Sequence, residues 1–239
     1  CDINKKQISL LKKKCPGISI NTSDNYNDVI ENVDFVIESA VASVSGDITK
    51  KTLLLGKDIM VLSIGGLLEC YDEIYKIAHE NKKGSLYLPS GAIGGIDCIN
   101  AAAIINIEKA EITSKKHTKG LEGAPYLIEN NISLDNIKDE LVVFEGTARE
   151  AIKGFPKNVN VSALLSLASI GLDKTMVKII TSNKFKNNIN EIFVKGDFGE
   201  LRAVTNNVPS PLNPKTSYLA ALSACAMLAK IFSPIKIGS

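Results

Sequence analysis

The first hundred residues alternate short apolar runs with amphipathic stretches, and this rhythm restricts the fold more than any other feature of the sequence. Ile18-Ser19-Ile20, Asp34–Ser39, Asp58–Ser63 and Leu86–Ser90 read as buried strands. Between them Lys5–Lys14, Tyr26–Asn32, Ser45–Leu55 and Leu67–Lys82 carry helical spacing, as in Leu68, Tyr71, Ile74, Tyr75 and Ala78. Strand and helix alternating at this interval predict a parallel sheet covered by helices. Strands buried on both faces need near-continuous apolar character, which these runs have.

From about Ile107 the texture changes. Glu108–Ser114, Val177–Thr181 and Glu191–Lys195 alternate like half-exposed strands. Asp197-Phe198-Gly199-Glu200 reads as a hairpin turn, and helices are predicted at Thr147–Gly154 and Val159–Ala168. Pro209, Pro211 and Pro214 punctuate a linker, and a last helix is predicted over Lys215–Phe232, with Asn213 as its cap and Pro214 at its first position. The expected architecture is α/β. A Rossmann-type parallel-sheet domain over 1–106 is joined by the C-terminal helix of 214–239. A second, α+β domain with a mainly antiparallel sheet spans 107–213.

Composition excludes several classes of function. The 239 residues hold 28 Lys and Arg against 26 Asp and Glu, and no basic run stands out, so a nucleic-acid partner is not expected. Aromatic residues make up 5% with no Trp, which argues against platforms for stacking bases. Five scattered cysteines and two histidines, His79 and His117, show no metal-ligand spacing, so no metal is expected and the thiols suit a reducing cytoplasm. No apolar run approaches the roughly 20 residues of a membrane span, and no signal peptide is read at the start.

Ligands of open parallel sheets bind beyond the carboxyl ends of the strands. Those ends carry Glu38-Ser39-Ala40, Ser63-Ile64-Gly65-Gly66 and Pro89-Ser90-Gly91-Ala92-Ile93-Gly94-Gly95, small residues that admit a flat ring close to the backbone. Any one of these could be only a tight turn. Asp2 sits where an acid would bind ribose hydroxyls, or is a solvated residue. Asn158 and Asn160 stand at a helix start, where capping competes with binding a carboxamide. Arg149, Lys157 and Lys215 lie near predicted helix N-termini, either as anion ligands or as solvated charges.

Four segments together carry a resemblance. Leu88-Pro89-Ser90-Gly91-Ala92-Ile93-Gly94-Gly95-Ile96-Asp97, Phe144-Glu145-Gly146-Thr147-Ala148-Arg149-Glu150-Ala151, Phe155-Pro156-Lys157-Asn158-Val159-Asn160-Val161 and Asn213–Ser223 resemble the L-aspartate dehydrogenase family, in order and over essentially the whole chain. The resemblance implies a two-domain enzyme that oxidises L-aspartate to iminoaspartate, or onward to oxaloacetate and ammonia, with NAD or NADP held between the domains. It also implies a cytoplasmic homodimer that feeds de novo NAD synthesis. By motif match, cofactor contacts carry over to Ala92 and Asn160, with Gly91, Ser63 and Asp2 beside them. Arg149, Lys157, Lys215 and Thr216 become candidates for docking the substrate dicarboxylate. An acid at Asp2 leans toward NAD, and Lys5-Lys6 could soften that preference.

Two departures stand out. The family opens with a strand and a Gly-rich turn ahead of the acid at Asp2, so a chain lacking roughly one βα unit, about 30 residues or fewer, is expected. The family's catalytic His lies in an Asn-x-His-Glu-Ile motif, where Asn188-Ile189-Asn190-Glu191-Ile192 places Asn190. An amide cannot exchange a proton near neutral pH as imidazole does, so a weakly active or inactive binding homologue is the alternative reading.

Overall fold

A computed structural model describes residues 1–81, 83–135, 137–156, 159–211 and 216–238. In it the chain forms two compact units, Cys1–Leu88 and Pro89–Ser239. They part earlier than the change of texture near residue 106. The turn of 89–95 and the C-terminal helix, which the sequence reading joins to the first domain, fall with the second unit.

The first unit is built from α1 (Lys5–Lys14), α2 (Tyr26–Glu31), β1 (Phe35–Glu38), α3 (Ala42–Leu54), β2 (Asp58–Val61), α4 (Tyr71–Asn81) and β3 (Leu86–Tyr87). Its sheet runs β1-β2-β3, all parallel, with Phe35 opposite Asp58 and Ile59 opposite Leu86. Ile30, Ile48, Leu53, Ile59, Val61, Leu67 and Ile74 form its core, drawn from strands and covering helices alike. The expected helix over Leu67–Lys82 is divided: Ile64–Cys70 is a tighter 3₁₀ segment and α4 begins at Tyr71. Gly66 lets this segment approach α3 closely, since a Cβ there would meet the backbone oxygen of Ala42 at 2.2 Å. The strand expected at Ile18–Ile20 does not form. Ile18 is exposed, and among the described residues no strand lies beside the segment to complete a ladder.

The second unit holds α5 (Ile96–Ala102), β4 (Ile107–Lys116), α6 (Pro125–Glu129), β5 (Leu141–Thr147), α7 (Ala148–Gly154), α8 (Asn160–Ala168), β6 (Met176–Thr181), β7 (Asn188–Gly196), β8 (Gly199–Asn207) and α9 (Tyr218–Phe232). Five strands order as β5-β6-β4-β7-β8. Only β4 and β6 run parallel, so the sheet is mainly antiparallel as expected. β7 and β8 form the expected hairpin, Gly196 facing Gly199 across Asp197-Phe198. Alternation separates two faces. The inner one buries Ala110, Ile112, Val177, Ile179, Ile192 and Val194, and α8 packs on it at β4. The outer one carries ion pairs, Lys115 to Glu191 and Lys178 to Glu145, each at 3.0 Å.

The last helix starts at Tyr218 rather than Lys215. Thr216 and Ser217 are held extended: Ser210 N donates to Thr216 O at 2.8 Å, Tyr218 N donates to Val208 O at 2.9 Å, and Ser217 bridges to Pro209. Backbone spent on that bridge cannot also close a helical turn. Asn213, Pro214 and Lys215 lie outside the described residues.

Candidate functional site

Polar side chains collect at one end of the inner face of the five-stranded sheet. The register places Ser114 of β4 opposite Asn190 of β7, and Asn190 opposite Thr205 of β8. All three therefore lie in one row across the sheet on its inner face. Ser114 Oγ donates to Asn190 Oδ1 at 2.9 Å. Asn190 Nδ2 donates to the carbonyl oxygen of Ala92 at 3.0 Å. The same oxygen accepts from Thr205 Oγ1 at 2.7 Å and from Asn207 Nδ2 at 3.0 Å. Three side chains of one hairpin thus hold a single carbonyl, and Asn207 Nδ2 also donates to Thr205 Oγ1. Ser114, Asn190 and Asn207 are each 4% exposed, and this network gives each of them a hydrogen-bond partner where it is buried.

The network pins the turn that follows β3. Gly91 there takes φ +63°, and a Cβ on it would meet nothing within 4 Å. The turn offers open space at Gly91 and a fixed backbone at Ala92. That pair of features suits the edge of a planar ring, so the residues present fit a nicotinamide cofactor at this turn.

Other predicted residues fall into groups. Thr216 is exposed, and its neighbour Ser217 accepts at Oγ from Asn188 Nδ2 at 3.3 Å, which ties the 216–217 segment to the polar end of β7. Arg149 goes elsewhere. It follows Thr147, which pairs with Met176 at the start of β6, while the polar row lies toward Thr181 at the strand's end. At 3.3 Å per residue the two ends are roughly 16 Å apart. Its guanidinium is also committed to a two-pronged pair with Asp173, Nε to Oδ1 at 2.5 Å and Nη2 to Oδ2 at 2.8 Å, which holds the Asp173 carboxyl below its usual range. Asn160 is exposed and is the first residue of α8, where Val159 takes the cap position instead. Lys157 and Asn158 lie outside the described residues. His117, no part of the row, accepts from Lys119 N through Nδ1 and caps the turn after β4.

In the first unit, Glu38 is 2% exposed and its carboxylate accepts from Ala40 N at 2.7 Å, Ser63 N at 3.0 Å and Ser45 Oγ at 3.3 Å. This joins the carboxyl ends of β1 and β2 to the first turns of α3, so Ser63 contributes its backbone to holding that edge. Asp2 closes a turn ahead of α1 by accepting from Asn4 N at 2.7 Å.

One residue of the polar end escaped the sequence reading. Lys116 is two positions beyond Ser114 on β4, hence on the same face, and opposite Thr181 of β6. The side chain as a whole is half-buried, but its ammonium end is enclosed enough that burial pushes its pKa down to about 8. The alternation of Ile112, Ser114 and Lys116 was the available signal. Among the described residues no cluster of His, Cys, Asp and Glu could hold a metal ion, and no helix is long and apolar enough to cross a membrane.

Comparison with known proteins agrees with this arrangement. The family described as aspartate dehydrogenase, C-terminal, matches residues 97–231. L-aspartate dehydrogenase of Methanococcoides burtonii is 46% identical over 89% of this chain and 79% of its own length. That of Methanosarcina barkeri is 46% identical over 91% of this chain and 80% of its own. The fold is that of the aspartate dehydrogenase crystal structure from Thermotoga maritima, with TM-score 0.72 at 23% identity, covering 99% of this chain and 95% of that one. The parallel sheet is accordingly of Rossmann type, with a second α+β unit. With relatives this similar over this much sequence, and with the motif turn of 89–95 seated on the hairpin that carries Asn190, the chain belongs to the L-aspartate dehydrogenase family, a family of oxidoreductases.

Proposed function

We propose that this protein oxidises L-aspartate to iminoaspartate, which water converts to oxaloacetate and ammonia, with NAD or NADP as the oxidant. The observation that carries the reading is the pinned turn of 89–95. Its fixed Ala92 and open Gly91 lie against the polar end of the second unit's sheet, within a chain whose relatives bear the dehydrogenase name. A nicotinamide ring, when bound, supplies the hydride-accepting carbon. The protein's own residues orient and exclude. Asn190, Thr205 and Asn207 fix the Ala92 carbonyl, and Ala92 and Gly91 shape the ring's edge. Asp2, Ser63 and Asn160 are our candidates for the remaining cofactor contacts, and Lys157, Lys215 and Thr216 for the dicarboxylate. Arg149 is the weakest substrate candidate, because Asp173 already occupies its guanidinium. We place the protein in the cytoplasm as a homodimer supplying de novo NAD synthesis, following the family resemblance.

Reduction of NAD or NADP by the purified protein, followed at 340 nm with L-aspartate as the added substrate, tests the reading. Aspartate-dependent reduction absent with D-aspartate and L-malate is the expected result. Ligand binding without reduction would return the protein to the class of binding homologues, on which Asn190 bears most directly.

A further inference from the structure

Beneath the carboxyl edge of the first unit's sheet lies a buried carboxylate that the proposed reaction does not use. Glu38 ends β1, level with Val61 at the end of β2, and is 2% exposed. Its two oxygens are divided between the turns that leave these strands. Oε1 accepts from Ala40 N at 2.7 Å, and Oε2 accepts from Ser63 N at 3.0 Å. Ser45 Oγ of α3, itself fully buried, donates to Oε2 at 3.3 Å. Every group aimed at the side chain is a donor, which is the surrounding of a carboxylate. Among the described residues its charge is met by N–H and O–H dipoles rather than by a cation. The lysines of the covering helix α3 pair elsewhere, Lys50 with Glu73 at 3.1 Å and Lys51 with Glu31 at 3.2 Å.

Resting on the dehydrogenase reading, we propose that Glu38 is a positioning residue for the dinucleotide. It fixes the turns after β1 and β2 through Ala40 and Ser63, and its negative charge makes the protein hold the oxidised nicotinamide in preference to the reduced one.

The charge argument follows from the two forms of the ring. Oxidised nicotinamide carries a positive charge, and the reduced ring is neutral. Ligands of an open parallel sheet lie beyond the carboxyl ends of its strands, the edge that Glu38 underlies. β3, which leads into the turn of 89–95, is the second neighbour of β1, with Met60 of β2 opposite Tyr87. Two strand spacings are about 10 Å. Across that distance, at an effective dielectric of about 20, one unit charge shifts a binding equilibrium of another roughly tenfold. An enzyme that oxidises its substrate takes up the oxidised cofactor and releases the reduced one, so the same difference favours both steps.

Isothermal titration calorimetry of the purified protein with NAD and NADH, and with NADP and NADPH, tests this, with melting temperatures measured without ligand to establish that each variant folds. Glu38→Gln removes the charge at nearly constant size, and its amide nitrogen meets one of the two backbone N–H groups that need an acceptor. It should weaken binding of the oxidised form ~10-fold more than that of the reduced form. Glu38→Asp keeps the charge but falls one methylene short of both turns, so it should weaken the two forms alike and leave their ratio near that of the parent. A Glu38→Gln protein whose affinities for the two forms change by the same factor, or not at all, overturns the proposal and leaves the dehydrogenase reading standing. So does a Glu38→Asp protein that loses the preference or binds both forms as the parent does, and this variant decides alone if Glu38→Gln does not fold. Failure of the unmodified protein to bind any of the four dinucleotides would instead overturn the dehydrogenase reading, and this one with it.

Discussion

At the residue scale, the Ala92 carbonyl concentrates the energetics of the site, because one acceptor takes the buried amides of Asn190 and Asn207 and the partly buried hydroxyl of Thr205. Removing a partner from such a network leaves others unpaired, which costs more than a hydrogen bond contributes. Asn190→Ala strands Ser114 Oγ and removes one of the three donors, so it should destabilise the protein by about 1–3 kcal/mol. Urea unfolding of both forms measures this, and an unchanged midpoint would show that water replaces the amide without cost. Lys116 supplies the opposite case, a buried charge that the fold pays to keep. Its pKa falls from 10.5 to about 8 on folding. Below pH 8 both folded and unfolded chains are protonated there and the penalty is complete. Between 8 and 10.5 the unfolded chain binds the extra proton, so stability rises with pH through this window, and above it the penalty is gone. Lys116→Met should therefore gain on the parent by about 1–3 kcal/mol at pH 6.5 and lose that relative advantage by pH 10.5. Urea midpoints of the two proteins at both pH values decide it, and a difference that does not change with pH would mean Lys116 titrates normally.

At the element scale, the close approach of Gly66 to the first residue of α3 fixes how that helix leaves the sheet. A side chain at 66 would lie 2.2 Å from Ala42 O and 2.7 Å from Ala42 Cα, both backbone atoms that cannot swing aside. Gly66→Ala should therefore cost about 1–3 kcal/mol by forcing helix and turn apart, seen as a lowered melting temperature. Elements with strong local signals were legible in advance. Lys5–Lys14 forms a helix over the span that its spacing predicts, and the β7–β8 hairpin turns at Asp197-Phe198. What local pattern could not show is long-range pairing. Ile18–Ile20 looks like a strand but has no ladder, and Lys215–Ser217 looks like a helix start although the bridge to Pro209 claims its end. The site divides in the same way. Motif resemblance marked Ala92 and Asn190 as positions, but not their bond, since Asn190 meets partners 76 and 98 residues away in sequence. Arg149 was attractive because it sits near a helix N-terminus, a local fact, while the register that carries it to the other end of the sheet is not local.

At the scale of the whole molecule, the two units differ in how their cores are made. The first draws Ile30, Ile48, Leu53, Ile59, Val61, Leu67 and Ile74 from helices and strands within residues 1–88. The second is organised by its five-stranded sheet, whose inner face is apolar toward Ala110 and Val194 and polar toward Ser114 and Asn190. Cores built from separate stretches of chain can open separately, and hydrogen exchange reports such openings segment by segment. Ile59 is fully buried on β2, so Ile59→Ala should remove about 2–5 kcal/mol from the first unit. Exchange should then quicken across β1, β2 and α3, while β4, β6 and β7 keep the protection they have in the parent. The polar row depends on the second unit alone, so Asn190 and the Ala92 turn should stay protected in the same variant. Mass-resolved hydrogen exchange over minutes to hours follows every segment in one experiment. If β4 and β7 lose protection together with β2, the molecule unfolds as one cooperative body and the site's rigidity depends on both cores. If they do not, the hairpin that pins the turn of 89–95 is a platform whose stability is set within residues 89–239.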